Sequence, residues 1–276
     1  MQIASAITSS LTFLVFRYAT LDSLLLIAKE FVKIVCKEQN KPDGGAAVLP
    51  FGSFKLGVFG PGSDIDTLVV GPENVSRDDF FRIFPDLLIK RAPEGAVTGL
   101  TAVRDAHVPI IGFEWSGIAI DLLYSRIAAL SVIPDNISLL DNNLLRGLTD
   151  DEIRALNGNR VNAEILELVP QQAVFKNALR AVKLWAQRRG IYANIVGFLG
   201  GVAWAMLLAR VCQLYPKATS STIVLKFFRV MERWNWPQPV QLKHIENFDL
   251  GKRVWNPKVC FHHQTTWPLL KPVVAL

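Results

Sequence analysis

The sequence predicts an α+β protein, with strands gathered between residues 64 and 124 and helices taking over after residue 149. Three stretches carry that prediction. Asp64-Ile65-Asp66-Thr67-Leu68-Val69-Val70 is β-branched and apolar and runs into Gly71-Pro72, the pattern of a buried strand with its stop. Gly117-Ile118-Ala119-Ile120-Asp121-Leu122-Leu123-Tyr124 is a second such run, with one acid inside it. Residues 172–189 instead repeat apolar residues at Phe175, Ala178, Leu179, Val182, Trp185 and Ala186, which is helical spacing.

Composition bounds the rest. The chain has 276 residues, half of them hydrophobic, enough for one large domain or two modest ones. A net charge of +6 suits an anionic partner such as nucleic acid or a nucleotide. Cys36, Cys212 and Cys260 are scattered and odd in number, which argues for a reducing compartment and against a disulfide frame or zinc site. The adjacent pair His262-His263 has no ligand spacing.

In chain order, residues 1–17 show no clean pattern, and Ile7 to Phe16 lacks a basic leader and a cleavage site. Residues 20–39 form an amphipathic helix on Leu21, Leu24, Leu25, Ala28, Phe31 and Val35, stopped by Lys41-Pro42-Asp43-Gly44-Gly45. A glycine-rich segment from Phe51 leads into the Asp64 strand. Ser76 caps a helix reaching about Arg91, and 97–103 and 107–113 read as strands. Thr149-Asp150-Asp151-Glu152 is a capping box, and Asn157-Gly158 reads as the end of that helix. Residues 191–209 carry no charge, but Gly200-Gly201 splits them into two short elements, so no membrane span is expected. Residues 220–234 make a further helix, followed by Trp/Pro-rich connections at 234–240 and 254–258.

The chemistry starts at Asp64 and Asp66. Side chains alternate along a strand, so both carboxylates share one face while Ile65 faces the core. Like charges that close repel unless a cation neutralises them, and hard Mg²⁺ prefers carboxylate oxygen. Asp121 is either an edge-strand residue facing water or a third metal carboxylate on a neighbouring strand. Upstream, Gly52-Ser53 offers a hydroxyl and a backbone that phosphate can approach. Lys176, Arg180, Lys183 and Gln187 form a separate stripe on helix 172–189, either a solvated basic face or one turned to phosphates.

Gly52-Ser53 followed by Asp-x-Asp on a strand resembles the signature of the nucleotidyltransferase superfamily with a polymerase-β-like palm. Phe51-Gly52-Ser53 with Gly60-Pro61-Gly62-Ser63-Asp64-Ile65-Asp66-Thr67-Leu68 is similar to the eukaryotic nuclear poly(A) polymerases. So are 155–158, 183–189, 192–194 and 200–204, in matching order over residues 20–259. The resemblance implies a palm of mixed β-sheet flanked by helices and a mainly helical central domain, at 1–155 and 156–276. Helix 20–39 is offered as a contact for the second domain. It implies template-independent transfer of AMP from ATP to an RNA 3′ end, with Asp64, Asp66 and Asp121 holding two Mg²⁺ ions (or Mn²⁺).

By the same resemblance Ser53 and Lys183 bind the ATP phosphates, joined by Tyr192. Asn194 and Val202 hold the adenine, Asn157 lies near the sugar, and Phe51, Gly52 and Gly201 complete the nucleotide site. Residue chemistry alone supports Ser53 and Lys183; for Tyr192 and Val202 it favours core packing. Nuclear location, a monomer, and cleavage and polyadenylation factors as partners are also implied. After Lys258 the pattern departs, and a C-terminal RNA-binding domain is expected to be missing. Transferases of uridylyl, CCA or oligoadenylate type, or an inactive nucleotide- or RNA-binding remnant, are the other readings.

Overall fold

The computed structural model describes residues 2–60, 62–244 and 274–275, with side chains for 14–60 and 62–244. Pro61, the connection at 254–258, Cys260 and His262-His263 lie outside the described residues. The chain divides into two compact units, residues 1–54 with 60–159, and residues 55–59 with 160–276.

The first unit is built on a five-stranded sheet of order β1-β2-β5-β4-β3, formed by Ala47–Pro50, Ile65–Pro72, Ile118–Ile127, Ile110–Trp115 and Val97–Val103 in that order. β2 and β5 run parallel and every other pair is antiparallel, so the sheet is mixed. β2 continues through Gly71-Pro72 rather than stopping before them, because these two pair with Arg126 and Ile127 at the end of the ladder. α1 (Gln2–Glu38) and α3 (Arg77–Arg91) pack together, and α1 also packs on β1. Phe31 on α1, Phe80 and Phe84 on α3 and Tyr124 on β5 interlock, with Phe31 edge-on to the other three rings. The Tyr124 hydroxyl, buried in that cluster, donates to the Val75 carbonyl at 2.8 Å. Of the stripe of helix 20–39, Leu21, Leu24, Ala28, Phe31 and Val35 are buried and Leu25 is half-buried.

Two capping boxes fall where the sequence puts them. Ser76 Oγ accepts from the Asp79 amide while the Asp79 carboxylate accepts from the Ser76 amide. The Thr149 amide donates to Glu152 Oε2 at 2.7 Å and Thr149 Oγ1 accepts from the Glu152 amide. Glu152 also pairs with Arg126 of β5 at 2.7 Å, tying the start of α4 (Asp150–Leu168) to the sheet.

Two helix ends differ from expectation. α1 runs N-terminally through the patternless residues to Gln2, since nothing there, neither Gly nor Pro, breaks a helix. α4 does not stop at Asn157-Gly158 but passes through them. Gly158 is not a cap: a Cβ there would stand 2.7 Å from the Phe51 ring, so glycine serves close packing rather than a left-handed turn.

The second unit is a helical core. α5 (Gln172–Arg188), α6 (Gly201–Leu214) and α7 (Ser220–Glu232) pack on one another, and a short parallel pair, β6 (Val240–Gln241) with β7 (Val274–Ala275), lies against α6. The α5 stripe is buried as read, except that Trp185 is half-buried. The uncharged stretch 191–209 splits as expected, with α6 starting at Gly201. Among the described residues no helix is long and apolar enough to cross a membrane. An unanticipated element is 55–59: Leu56 and Val58 are buried in this helical core.

Candidate active site

The parallel ladder of β2 and β5 sets Asp66 directly opposite Asp121. Asp64 sits one residue before β2 begins and shares the face of Asp66. One carboxylate oxygen from each of the three lies within 4.8 Å of the others. β5 is flanked by β2 and β4, so the edge-strand alternative for Asp121 is excluded. Asp64 is exposed; Asp66 and Asp121 are half-buried.

Electrostatics marks the cluster as short of positive charge. The Asp66 carboxyl is pushed up to about 6 by burial first, then by the charges of Asp64 and Asp121. Asp121 is raised as well, by burial and by Asp64. Three clustered carboxylates without a histidine or cysteine form an all-oxygen donor set, which suits Mg²⁺ or Mn²⁺ rather than softer metals.

The backbone upstream is shaped to this cluster. The Phe51 amide donates to the Asp66 carbonyl at 2.9 Å. Gly52 has φ of 61°, and a Cβ on it would stand 1.8 Å from Asp66 Oδ2. Only glycine fits there, on both counts. Ser53 follows in the short helix α2 (Gly52–Lys55). Phe51 rests against Gly158 of α4, one residue from the exposed Asn157, and Asn159 donates to the Pro50 carbonyl at 3.0 Å. Phe51, Gly52, Ser53, Asp64, Asp66, Asp121 and Asn157 therefore all belong to the first unit.

Arg17 escaped the sequence reading. It is 1% exposed, its guanidinium donates to the Ser63 carbonyl, and it reaches the Asp64 carbonyl at 3.5 Å. Burial lowers its pKa while the Asp64 charge raises it. Beside it, Tyr18 meets Phe54 of α2 edge-on at 5.4 Å. The N-terminal part of α1 thus holds both α2 and the loop before Asp64. A signal was present: Arg17 stands one helical turn before Leu21 and extends the buried stripe of α1.

In the second unit Lys183, Tyr192, Asn194, Gly201 and Val202 gather around the connection between α5 and α6. The Lys183 ammonium lies 5.9 Å from the Tyr192 ring centroid. A Cβ on Gly201 would stand 2.7 Å from the Tyr192 hydroxyl, and one on Gly200 would touch Asn194 Cβ at 3.6 Å. Tyr192 is half-buried and packs against the helical core, whereas Val202 is 47% exposed, so core packing does not hold for Val202. The basic stripe divides its labour. Arg180 donates to the Gly57 carbonyl at 2.5 Å, and the Lys176 stem lies against Gly57. These two pin segment 55–59 to α5.

A model of the poly(A) polymerase nucleotidyltransferase domain matches residues 13–169, and one of the poly(A) polymerase central domain matches residues 174–275. The chain is similar to poly(A) polymerase pla1 of Schizosaccharomyces pombe, 54% identical over 248 residues, 88% of this chain and 43% of pla1. It is similar to nuclear poly(A) polymerase 2 of Arabidopsis thaliana, 47% identical over 255 residues, 90% of this chain and 31% of the relative. It spans less than half the length of these relatives. Among solved structures, Cid1, described by its RNA terminal uridylyl transferase activity, superimposes with a TM-score of 0.56 at 16% identity. That match covers 83% of this chain and 70% of Cid1, and speaks for the fold alone.

Proposed function

Because the chain belongs to the poly(A) polymerase family, we propose that it transfers AMP from ATP to the 3′ end of RNA without a template. The observation that carries this reading is the convergence of Asp64, Asp66 and Asp121 from two neighbouring parallel strands. These three would hold two Mg²⁺ ions, with Mn²⁺ as a substitute. When bound, such ions lower the pKa of an attacking 3′-hydroxyl and stabilise charge on the leaving pyrophosphate.

The chain's own residues do the positioning. Gly52 lets the Asp66 carboxylate lie against the backbone, and Ser53 presents its hydroxyl and amide to a phosphate. Phe51, wedged at Gly158, fixes that turn. Arg17 holds the carbonyls of Ser63 and Asp64, so the first acid keeps its place. In the second unit the Lys183 ammonium draws phosphate charge, with Tyr192 beneath it and Gly201 leaving room for the Tyr192 hydroxyl. Exposed Asn194 and Val202 would take the adenine and Asn157 the sugar. The relative from Arabidopsis is named nuclear, which supports the nucleus as the location. Monomeric action alongside cleavage and polyadenylation factors completes the proposal.

The test is extension of an oligoadenylate primer with each of the four ribonucleotides. ATP-dependent extension that Asp66→Ala lowers by about 10³-fold or more is the expected result, since losing even an outer partner of a metal ligand costs 10–100-fold. Extension that survives Asp66→Ala overturns the assigned site. Preference for UTP or CTP overturns the nucleotide assignment and leaves the site intact.

A further inference from the structure

The second unit carries a concave face that none of these roles uses. Lys226 and Arg229 on α7 and Arg233 at its C-cap follow one another at i, i+3 and i+7, along one face of the helix. With Tyr215, Val230 and the turn containing Trp234, Asn235 and Gln238, they line an open cavity of about 500 Å³. Among the described residues no carboxylate lines it, and none of the three cations makes an ion pair.

Its aromatic walls are set in advance. The Lys226 ammonium stands 4.9 Å from the Tyr215 ring centroid. The Trp234 indole N–H donates to the Gln238 carbonyl at 2.8 Å, which closes the turn and fixes the ring. Trp236, next to it, donates to the Met231 carbonyl at 3.0 Å. The volume is that of a site for one small ligand or one nucleotide unit. Cations spaced along a helix beside indole and phenol rings, with the side-chain amides of Asn235 and Gln238 in the same lining, are the equipment for tracking a single strand: phosphates go to the cations and a base goes to a ring. An acidic peptide would use the cations alone and leave the aromatic wall and the amides without a role.

We propose that this α7 face is an accessory site for single-stranded RNA, taking phosphates on Lys226, Arg229 and Arg233 and a base against Trp234. It rests on the reading that RNA is the substrate. The experiment measures the affinity of the 276-residue chain for a fluorescent 3′-deoxy oligoadenylate in EDTA over a range of salt, so that neither catalysis nor bound metal enters. Lys226→Gln, Arg229→Gln and Arg233→Gln are combined in one variant; Lys33→Gln, Lys37→Gln and Lys90→Gln, on α1 and α3, remove the same charge in a control. Each lost phosphate contact on a single strand lowers the salt slope by about 0.7, so losing all three lowers it by about 2 and weakens binding about 100-fold at about 0.1 M salt. The control should lose little, and ultraviolet crosslinks should map to 226–238.

An α7 variant with unchanged affinity and slope, or one matched by the control, overturns the site. So does polyglutamate that binds the unaltered chain but not the α7 variant while RNA binds both alike, which would assign the face to an acidic protein. If the unaltered chain binds no oligoadenylate, the RNA-substrate reading itself falls. If it binds and extends RNA and only the α7 variant is indifferent, the accessory site alone falls.

Discussion

The two units handle charge in opposite ways. The first gathers three carboxylates on adjacent strands and half-buries two of them, so like charges face each other in a poorly solvated place. The second buries almost only apolar residues and sets its cations on helix faces around that core. Concentrated charge needs a specific backbone to tolerate it, and here that means the parallel register, the conformation of Gly52 and the buried Arg17. Dispersed surface charge needs only a helix with an apolar stripe. Substitutions beside the acids should therefore cost much more than equivalent ones in the helical unit.

Two glycines make the sharpest contrast, since each touches a site side chain. Gly52→Ala forces a Cβ onto the Asp66 carboxylate at a φ that alanine rarely adopts. Displacing a reacting group by about 1 Å costs about 10²-fold, so kcat/KM for primer extension should fall by about 10² to 10³, with a lower Tm. A loss under about tenfold would break the contrast, because it would mean that the acids can relax.

Arg17→Met removes the clamp on the Ser63 and Asp64 carbonyls. An outer-shell loss of this kind weakens metal affinity by about 10–100-fold, read as a rightward shift of the Mg²⁺ activation curve. Arg17→Lys should recover part of that shift, and helix content by circular dichroism should be unchanged. A fall in kcat with no movement of the Mg²⁺ curve would count against the positioning role.

Gly201→Ala in the helical unit meets only the far end of Tyr192, which can swing away. The KM for ATP should rise only a few-fold, with kcat and Tm near the starting values. A collapse as large as that of Gly52→Ala would show that the second unit is built as tightly as the first.

The smallest effect is one of pH on stability. Asp66 keeps its proton more tightly folded, near 6, than unfolded, near its ordinary 3.8. Its contribution favours folding below about 4 and is lost as pH rises through about 6. In metal-free buffer, Tm should therefore fall by a few degrees over that window, and Asp121 adds to the fall. Asp66→Asn should flatten the profile, and Mg²⁺ added to the unaltered chain at pH 7.5 should restore the lost Tm. Identical profiles for the two proteins would separate the raised carboxyl from stability.

Much of this was legible in the residues because it is local. Ser76 with Asp79 and Thr149 with Glu152 state their caps within four residues. The α5 stripe and the break at Gly200-Gly201 are periodicity and punctuation, which the chain carries by itself. Gly158 misled because a glycine beside an asparagine reads the same whether it ends a helix or makes room for Phe51. Lys176, Arg180 and Lys183 read alike on the helix, yet the first two pin segment 55–59 while Lys183 lies over Tyr192.

The sequence by itself determined which residues could build strands, helices and caps, and placed three acids where alternation along a strand would aim them at one face. Only the tertiary structure decided that β5 lies beside β2 in the register that puts Asp121 opposite Asp66, that residues 55–59 join the helical core, and that Arg17 closes on the loop before Asp64. Those outcomes depend on contacts between distant parts of the chain. Local propensity carries no information about which distant partner a buried side chain will meet.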